Sequence, residues 1–264
     1  MNLFLRITIV NLIIIFEVFS FFSKAQVITY EITARNLSRE AVDTYPQKLL
    51  NYEYEDSVYR IVVSTFSAYN DTLKREIVNT DKYSKNKCYP QEINEYLKPT
   101  SLTNYNLPEI ESAADSILNI GELLTKDVIS HCLRYSSKRI QYDKEFAREL
   151  DKGNSTTLAV ETILKRGKGS CSEYTNLFLA LTRKLGIPSR MAVGYIYMPE
   201  NNFEGSHAWA ECYISNYGWM AVDPQYGSMR FPSVAVKLFH GRDFVDCNIK
   251  TLPDMYPIKM RIKK

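Results

Sequence analysis

The sequence predicts an α+β protein, because strand-forming and helix-forming stretches are segregated along the chain rather than alternating. Three observations carry this. Residues 27 to about 105 read mostly as strand: VITYEITARN alternates, and YRIVVSTFSAY is rich in β-branched and aromatic residues. Residues 109–135 read as helix, with Ile110, Ala114, Ile117, Leu118, Leu123, Leu124, Val128 and Leu133 at three-and-four spacing. Beyond residue 188 the chain returns to strand in SRMAVGYIYM, HAWAECYI and GWMAV.

Taken in order, the first segment is divided by the polar breaks DTYPQ, YNDTLK and DKYSKNK. Pro99, Pro108 and the polar residues between them mark a boundary. Gly121 breaks the helical stretch, and a short helix is expected over 158–165. The best defined element lies in GKGSCSEYTNLFLALTRKLGIP, residues 167–188. Ser170 and Glu173 form a capping box, so Ser170 is the N-cap and Cys171 the first helical residue. Tyr174, Leu177, Phe178, Leu181 and Leu185 make one apolar stripe. Gly186 suits the position just past the helix, and Pro188 stops its continuation. The two strands after Gly205 are joined through Ser-Asn-Tyr-Gly, which suits a hairpin.

The N-terminus, MNLFLRITIVNLIIIFEVFSFFSKAQ, pairs a positive flank at Arg6 with an apolar run and small residues at Ser23 and Ala25. This is the pattern of a secretory signal peptide cut after Ala25. The run is short for a membrane span, and Glu17 interrupts it. The expected organisation is a signal peptide over 1–25, a β-rich domain over 26–105, and a second domain with a C-terminal extension over 106–264. The expected location is secreted or periplasmic, with membrane attachment only if the leader is not cleaved.

The formal net charge is +3, and the leader holds +1 of it from Arg6 and Lys24 against Glu17, leaving +2. No basic run interleaved with aromatics appears, so a nucleic-acid partner is not expected. Five cysteines are present: Cys88, Cys132, Cys171, Cys212 and Cys247. An odd number leaves at least one free or paired between chains. If that one is Cys171, the other four allow three pairings, and an exported chain permits disulfides without requiring them. None forms a CxxC unit, so no metal site is expected, nor any cofactor.

A cysteine in the first turn of a helix has two readings. The N-terminal partial positive charge favours thiolate over thiol, and the free N–H groups there can hold an oxyanion. Equally, cysteine is a small apolar residue that packs well. A nucleophile needs a base and an orienter. Of the three histidines, His207 lies on a strand whose alternation puts His207, Trp209, Glu211 and Tyr213 on one face. Ala208, Ala210, Cys212 and Ile214 form the other, apolar face, so His207 is expected to face a cleft or solvent. Asp223 lies on the returning strand. A hairpin centred on Ser215 would set it opposite His207. Gly218 argues for a later centre, which would offset the pair and call for a bulge or skewed loop. Asp223 before Pro224 is also an ordinary turn opener. His131 reads as structural, His240 as a turn residue, and Trp209 and Trp219 as packing residues.

These residues also carry a resemblance. G-x-G-x-C-x-E-Y-x-x-L, R-x-x-G-I-P-x-R-x-x-x-G-Y, H-A-W-A-E and G-W-x-x-x-D-P occur in the order seen in the transglutaminase-like superfamily of cysteine enzymes, which the chain resembles over about 95 to 250. The resemblance implies a papain-like α+β core in which the cysteine helix packs on an antiparallel sheet, preceded by a β-rich segment. It implies Cys171 as nucleophile, His207 as general base and acid, and Asp223 as orienter. The implied activity is acyl transfer from a protein or peptide amide through a Cys171 thioester, to an amine in a transglutaminase or to water in a protease, amidase or deamidase. The alternative is a catalytically silent binding module on the same fold at the cell surface.

Overall fold

The computed structural model describes residues 27–65, 72–198, 203–227, 229, 235–249 and 252–263. The leader expected over 1–25 lies outside the described residues. The chain forms two four-stranded antiparallel sheets with a helical layer, as expected of an α+β protein.

The first sheet has the order β10-β1-β3-β2, from β1 (Ile28–Ala34), β2 (Gln47–Glu55), β3 (Val58–Thr65) and β10 (Lys259–Ile262). Alternation in β1 is complete: Ile28, Tyr30, Ile32 and Ala34 are buried, and the residues between are half-buried. The strands are fewer than the 27–105 pattern implied. A short helix, α1 (Arg39–Val42), follows β1, and α2 (Thr72–Thr80) occupies the stretch expected to be a polar break followed by strand. A second short helix, α3 (Gln91–Asn94), precedes Pro99. The fourth strand comes instead from the far end of the chain, where Tyr30 pairs with Ile262. That pairing spans more than two hundred residues, so no local pattern announces it.

The helices follow the periodicity. The broken helical stretch resolves into α4 (Pro108–Leu118) and α5 (Thr125–Arg139), separated around Gly121 at φ +112. Next come β4 (Gln141–Tyr142), α6 (Lys144–Asp151), α7 (Val160–Arg166) and β5 (Lys168–Gly169). The long helix α8 (Cys171–Lys184) is buried along nearly its whole length. Leu177, Phe178, Leu179 and Leu181 are fully enclosed, and each contributes roughly 1.5–3 kcal/mol by leaving water. Gly186 ends it: its N–H donates to Arg183 O at 2.9 Å and the Ile187 N–H to Thr182 O at 2.9 Å. This Schellman closure needs the left-handed φ of +75 that Gly186 adopts.

The second sheet has the order β8-β7-β6-β9, from β6 (Ser189–Met198), β7 (Phe203–Ile214), β8 (Gly218–Val222) and β9 (Ala235–Gly241). The hairpin pairs Ile214 with Gly218, so it is centred on Asn216, at φ +63. His240 therefore belongs to a strand, β9, and not to a turn. One apolar core runs from Tyr30 and Val63 of the first sheet through α8 to Val193 and Val222 of the second. Among the described residues, no helix is long and apolar enough to cross a membrane.

Candidate active site

Cys171 opens α8, and its surroundings are built by Glu173. The Glu173 side chain is fully buried. Its Oε2 accepts from the Ser170 N–H at 2.8 Å and from Ser170 Oγ at 2.7 Å. Its Oε1 accepts from Thr157 Oγ1 at 2.9 Å and from the Leu158 N–H at 3.0 Å. One carboxylate thus ties the turn before the thiol to the loop that precedes α7. Gly169 makes room for it, since a Cβ there would sit 2.3 Å from Glu173 Cβ. The capping box was legible in sequence; the hold on residues 157 and 158 was not.

The thiol is half-buried. Helix α8 is tied to β7 where Thr175 Oγ1 donates to Cys171 O at 2.8 Å and also lies 3.4 Å from Ala208 O. This brings the helix start beside His207. The histidine is 7% exposed, and Trp209 and Glu211 on its face are buried as well. This face does not meet open solvent: β7 is a central strand, and of its residues His207, Trp209 and Glu211 are buried and Tyr213 is half-buried.

His207 Nε2 bonds Asp223 Oδ2 at 2.8 Å, and Cys171 lies near enough to the imidazole to help raise its pKa. Asp223 occupies Nε2, so Nδ1 is the nitrogen left for the sulfur. The hairpin register sets Asp223 two residues short of the position opposite His207, as its late centre implied. No bulge is needed, because residues offset by two share a face and lie within diagonal side-chain reach. Asp223 fills both roles read for it. While Oδ2 holds His207, Oδ1 accepts from the N–H groups of Gln225 at 3.1 Å and Tyr226 at 3.3 Å, opening the turn.

Burial opposes a charge on His207, but Asp223 and Cys171 outweigh it and raise the imidazole to about 10. The ring is therefore protonated at neutral pH. The Trp209 indole stacks beside it, with centroids 6.2 Å apart and planes at 23°. Trp209 packs against Gly194, where a Cβ would meet the indole at 2.8 Å and Val236 O at 2.0 Å. Trp209 is thus a packing residue that also backs the imidazole.

Further along the same face is a charged cluster that the sequence reading missed. Glu211 is 1% exposed and accepts from Arg190 Nε at 2.7 Å and from Lys237 Nζ at 2.5 Å. Burial pushes its carboxyl up, but the two cations hold it down at about 2. His240 borders Arg190 at 3.4 Å and Glu40 at 3.3 Å, and burial lowers its imidazole to about 4. The signal available in sequence was a glutamate on the His207 face of a strand. Its partners come from β6 and β9, whose register no local pattern supplies. His131 lies on α5, away from the three site residues and half-buried.

All five cysteines are free thiols. Among the described residues, no group of histidine, cysteine, aspartate and glutamate side chains could hold a metal ion.

A helix-borne cysteine set against a histidine–aspartate pair on an antiparallel sheet defines an α+β core of the papain-like kind. Residues 119–224 match the model of the transglutaminase-like superfamily. A protein-glutamine gamma-glutamyltransferase of Pseudomonas aeruginosa is 33% identical over 67 residues, which cover 22% of this chain and 10% of that one. An uncharacterised Mycobacterium leprae protein is 28% identical over 89 residues, covering 31% of each. The chain thus spans about a tenth and about a third of the length of these relatives. A Cytophaga hutchinsonii protein provisionally assigned as a cysteine protease has the same fold, with a TM-score of 0.55 at 17% identity over 90% of this chain and 88% of that one.

Proposed function

We propose that the protein is an exported cysteine enzyme that transfers the acyl group of a protein or peptide amide through a thioester on Cys171. The observation that carries this is the Asp223–His207 bond at 2.8 Å, with Cys171 at a helix start beside the same imidazole. A protonated imidazole beside a sulfur favours its thiolate form. The sulfur attacks the amide carbonyl carbon, and the C–S bond forms as the carbonyl π electrons move to oxygen. The helix-start N–H of Cys171, which has no intrahelical acceptor, faces that developing negative charge. Collapse of the intermediate breaks the C–N bond, and His207 gives its proton to the departing amine or ammonia. His207, now neutral, takes a proton from the second nucleophile, which attacks the thioester and releases Cys171. An amine makes the reaction a transglutamination; water makes it a hydrolysis. Asp223 holds the imidazole oriented throughout. The leader pattern over 1–25 supports a periplasmic or extracellular setting for this chemistry.

The test has two steps. Iodoacetamide alkylation of Cys171 is followed against pH in the mature protein and in His207→Ala. A fast reaction below about pH 7 that moves towards the pH of a free thiol, about 8.5, in the variant supports the pair. Wild type and variant that react alike would sink it. Glutamine peptides are then offered with and without a primary amine, and the products are read by mass spectrometry. Cys171→Ser should remove turnover in either mode. A wild-type protein with a reactive Cys171 that turns over no amide would leave the binding-module reading.

A further inference from the structure

Two tyrosines stand in solvent beside the site. Tyr142 is 53% exposed and Tyr226 is 71% exposed, in a chain that buries most of its large apolar side chains. Each is fastened by backbone to a segment that carries a site residue. Tyr142 lies in β4, whose register sets it beside Gly169, two residues before the thiol. The next N–H, from Asp143, donates to Gly169 O at 2.8 Å and pins that register. Tyr226 sits in the turn opened by Asp223 and donates its N–H to that carboxylate at 3.3 Å. Its ring centroid is 6.3 Å from the His207 imidazole, with the planes at 44°. The two rings thus stand on the segments that carry Cys171 and His207, one beside Gly169 and the other beside the imidazole.

Among the described residues neither hydroxyl forms a hydrogen bond, and both rings remain largely exposed. An exposed tyrosine presents a large, stiff apolar face with few rotatable bonds, so little freedom is lost when a ligand covers it. Two such faces beside one site suit a third flat ring, since aromatic pairs favour tilted and offset contacts at centroid distances of about 4.5–7 Å. We propose that Tyr142 and Tyr226 are specificity-determining walls of the acyl-donor subsite, and that they select a peptide carrying an aromatic residue next to the reacting amide. This rests on the acyl-transfer reading of Cys171.

Two peptidyl chloromethyl ketones test it, acetyl-Phe-Gly and acetyl-Gly-Gly, which carry the same electrophile. Iodoacetamide, too small to span the rings, reports the state of the thiol in each variant. The wild type should react faster with the phenylalanyl ketone. Tyr142→Ala and Tyr226→Ala should each cut that preference by about fivefold or more, the usual effect of truncating an aromatic anchor. Tyr142→Phe and Tyr226→Phe should keep it. Iodoacetamide labelling of Cys171 with no preference between the ketones, or with a preference that the alanine variants retain, overturns the subsite alone. Failure of iodoacetamide to label wild-type Cys171 overturns the acyl-transfer reading and the subsite with it.

Discussion

Asp223 shows how little a residue has to choose between a structural and a chemical role. One oxygen closes a turn and the other holds His207. The interactions that raise His207 to about 10 also link folding to pH. A histidine raised above its unfolded value of 6.5 stabilises the fold fully below that pH and loses this contribution as pH climbs to about 10. Wild-type stability, followed as the urea midpoint, should therefore fall between about pH 6.5 and 10 more steeply than that of Asp223→Asn. Equal slopes would show that the Asp223 bond does not set the imidazole. Cys171, His207 and Asp223 were each legible as residue types in ordered motifs. Tyr142 and Tyr226 were not, because exposure is a property of the folded surface.

At the scale of the element, α8 was the most legible part of the chain. Its capping box, apolar stripe and terminal glycine are local signals, and the helix runs Cys171–Lys184 as they indicate. Gly186 is held to its identity twice over. Its φ is +75, and an added Cβ would lie 2.2 Å from the carbonyl oxygen of Lys85. Gly186→Ala should cost more than about 2 kcal/mol, from left-handed strain and from displacing backbone. Urea denaturation would measure this. A loss under about 0.5 kcal/mol, the ordinary range for a surface change, would show that the loop around Lys85 gives way freely. The hairpin after β7 was half legible. Gly218 signalled a late turn centre, but side-chain reach across the diagonal, which made a bulge unnecessary, depends on twist and rotamer.

Across the whole molecule the two sheets are joined where α1 and β2 meet β9. Gln47 Nε2 donates to Lys237 O at 3.0 Å, and its Oε1 accepts the Lys237 N–H. Beneath this seam lie Glu211, Arg190 and Lys237, a buried charge set whose partners come from three strands. Removing the carboxylate that contacts both cations leaves two buried positive charges. Glu211→Ala should cost about 3–5 kcal/mol. Glu211→Gln, which keeps the shape and part of the bonding, should cost less. Guanidinium denaturation of the three proteins gives the order, and an alanine variant as stable as wild type would mean that water reaches the cluster.

The sequence by itself determined what short-range physics decides: where helices start and stop, which residues alternate, and that a cysteine, a histidine and an aspartate follow one another in motifs of one superfamily. Only the tertiary structure decided which faces are covered. Burial on β7 depends on the strands at its sides and the layers above and below, so Trp209 and Glu211, on the face that alternation assigns to a cleft or solvent, are enclosed. Pairings over long chain separations, such as β1 with β10 and Glu211 with Lys237, follow from the collapse of the whole core, and no local pattern encodes them.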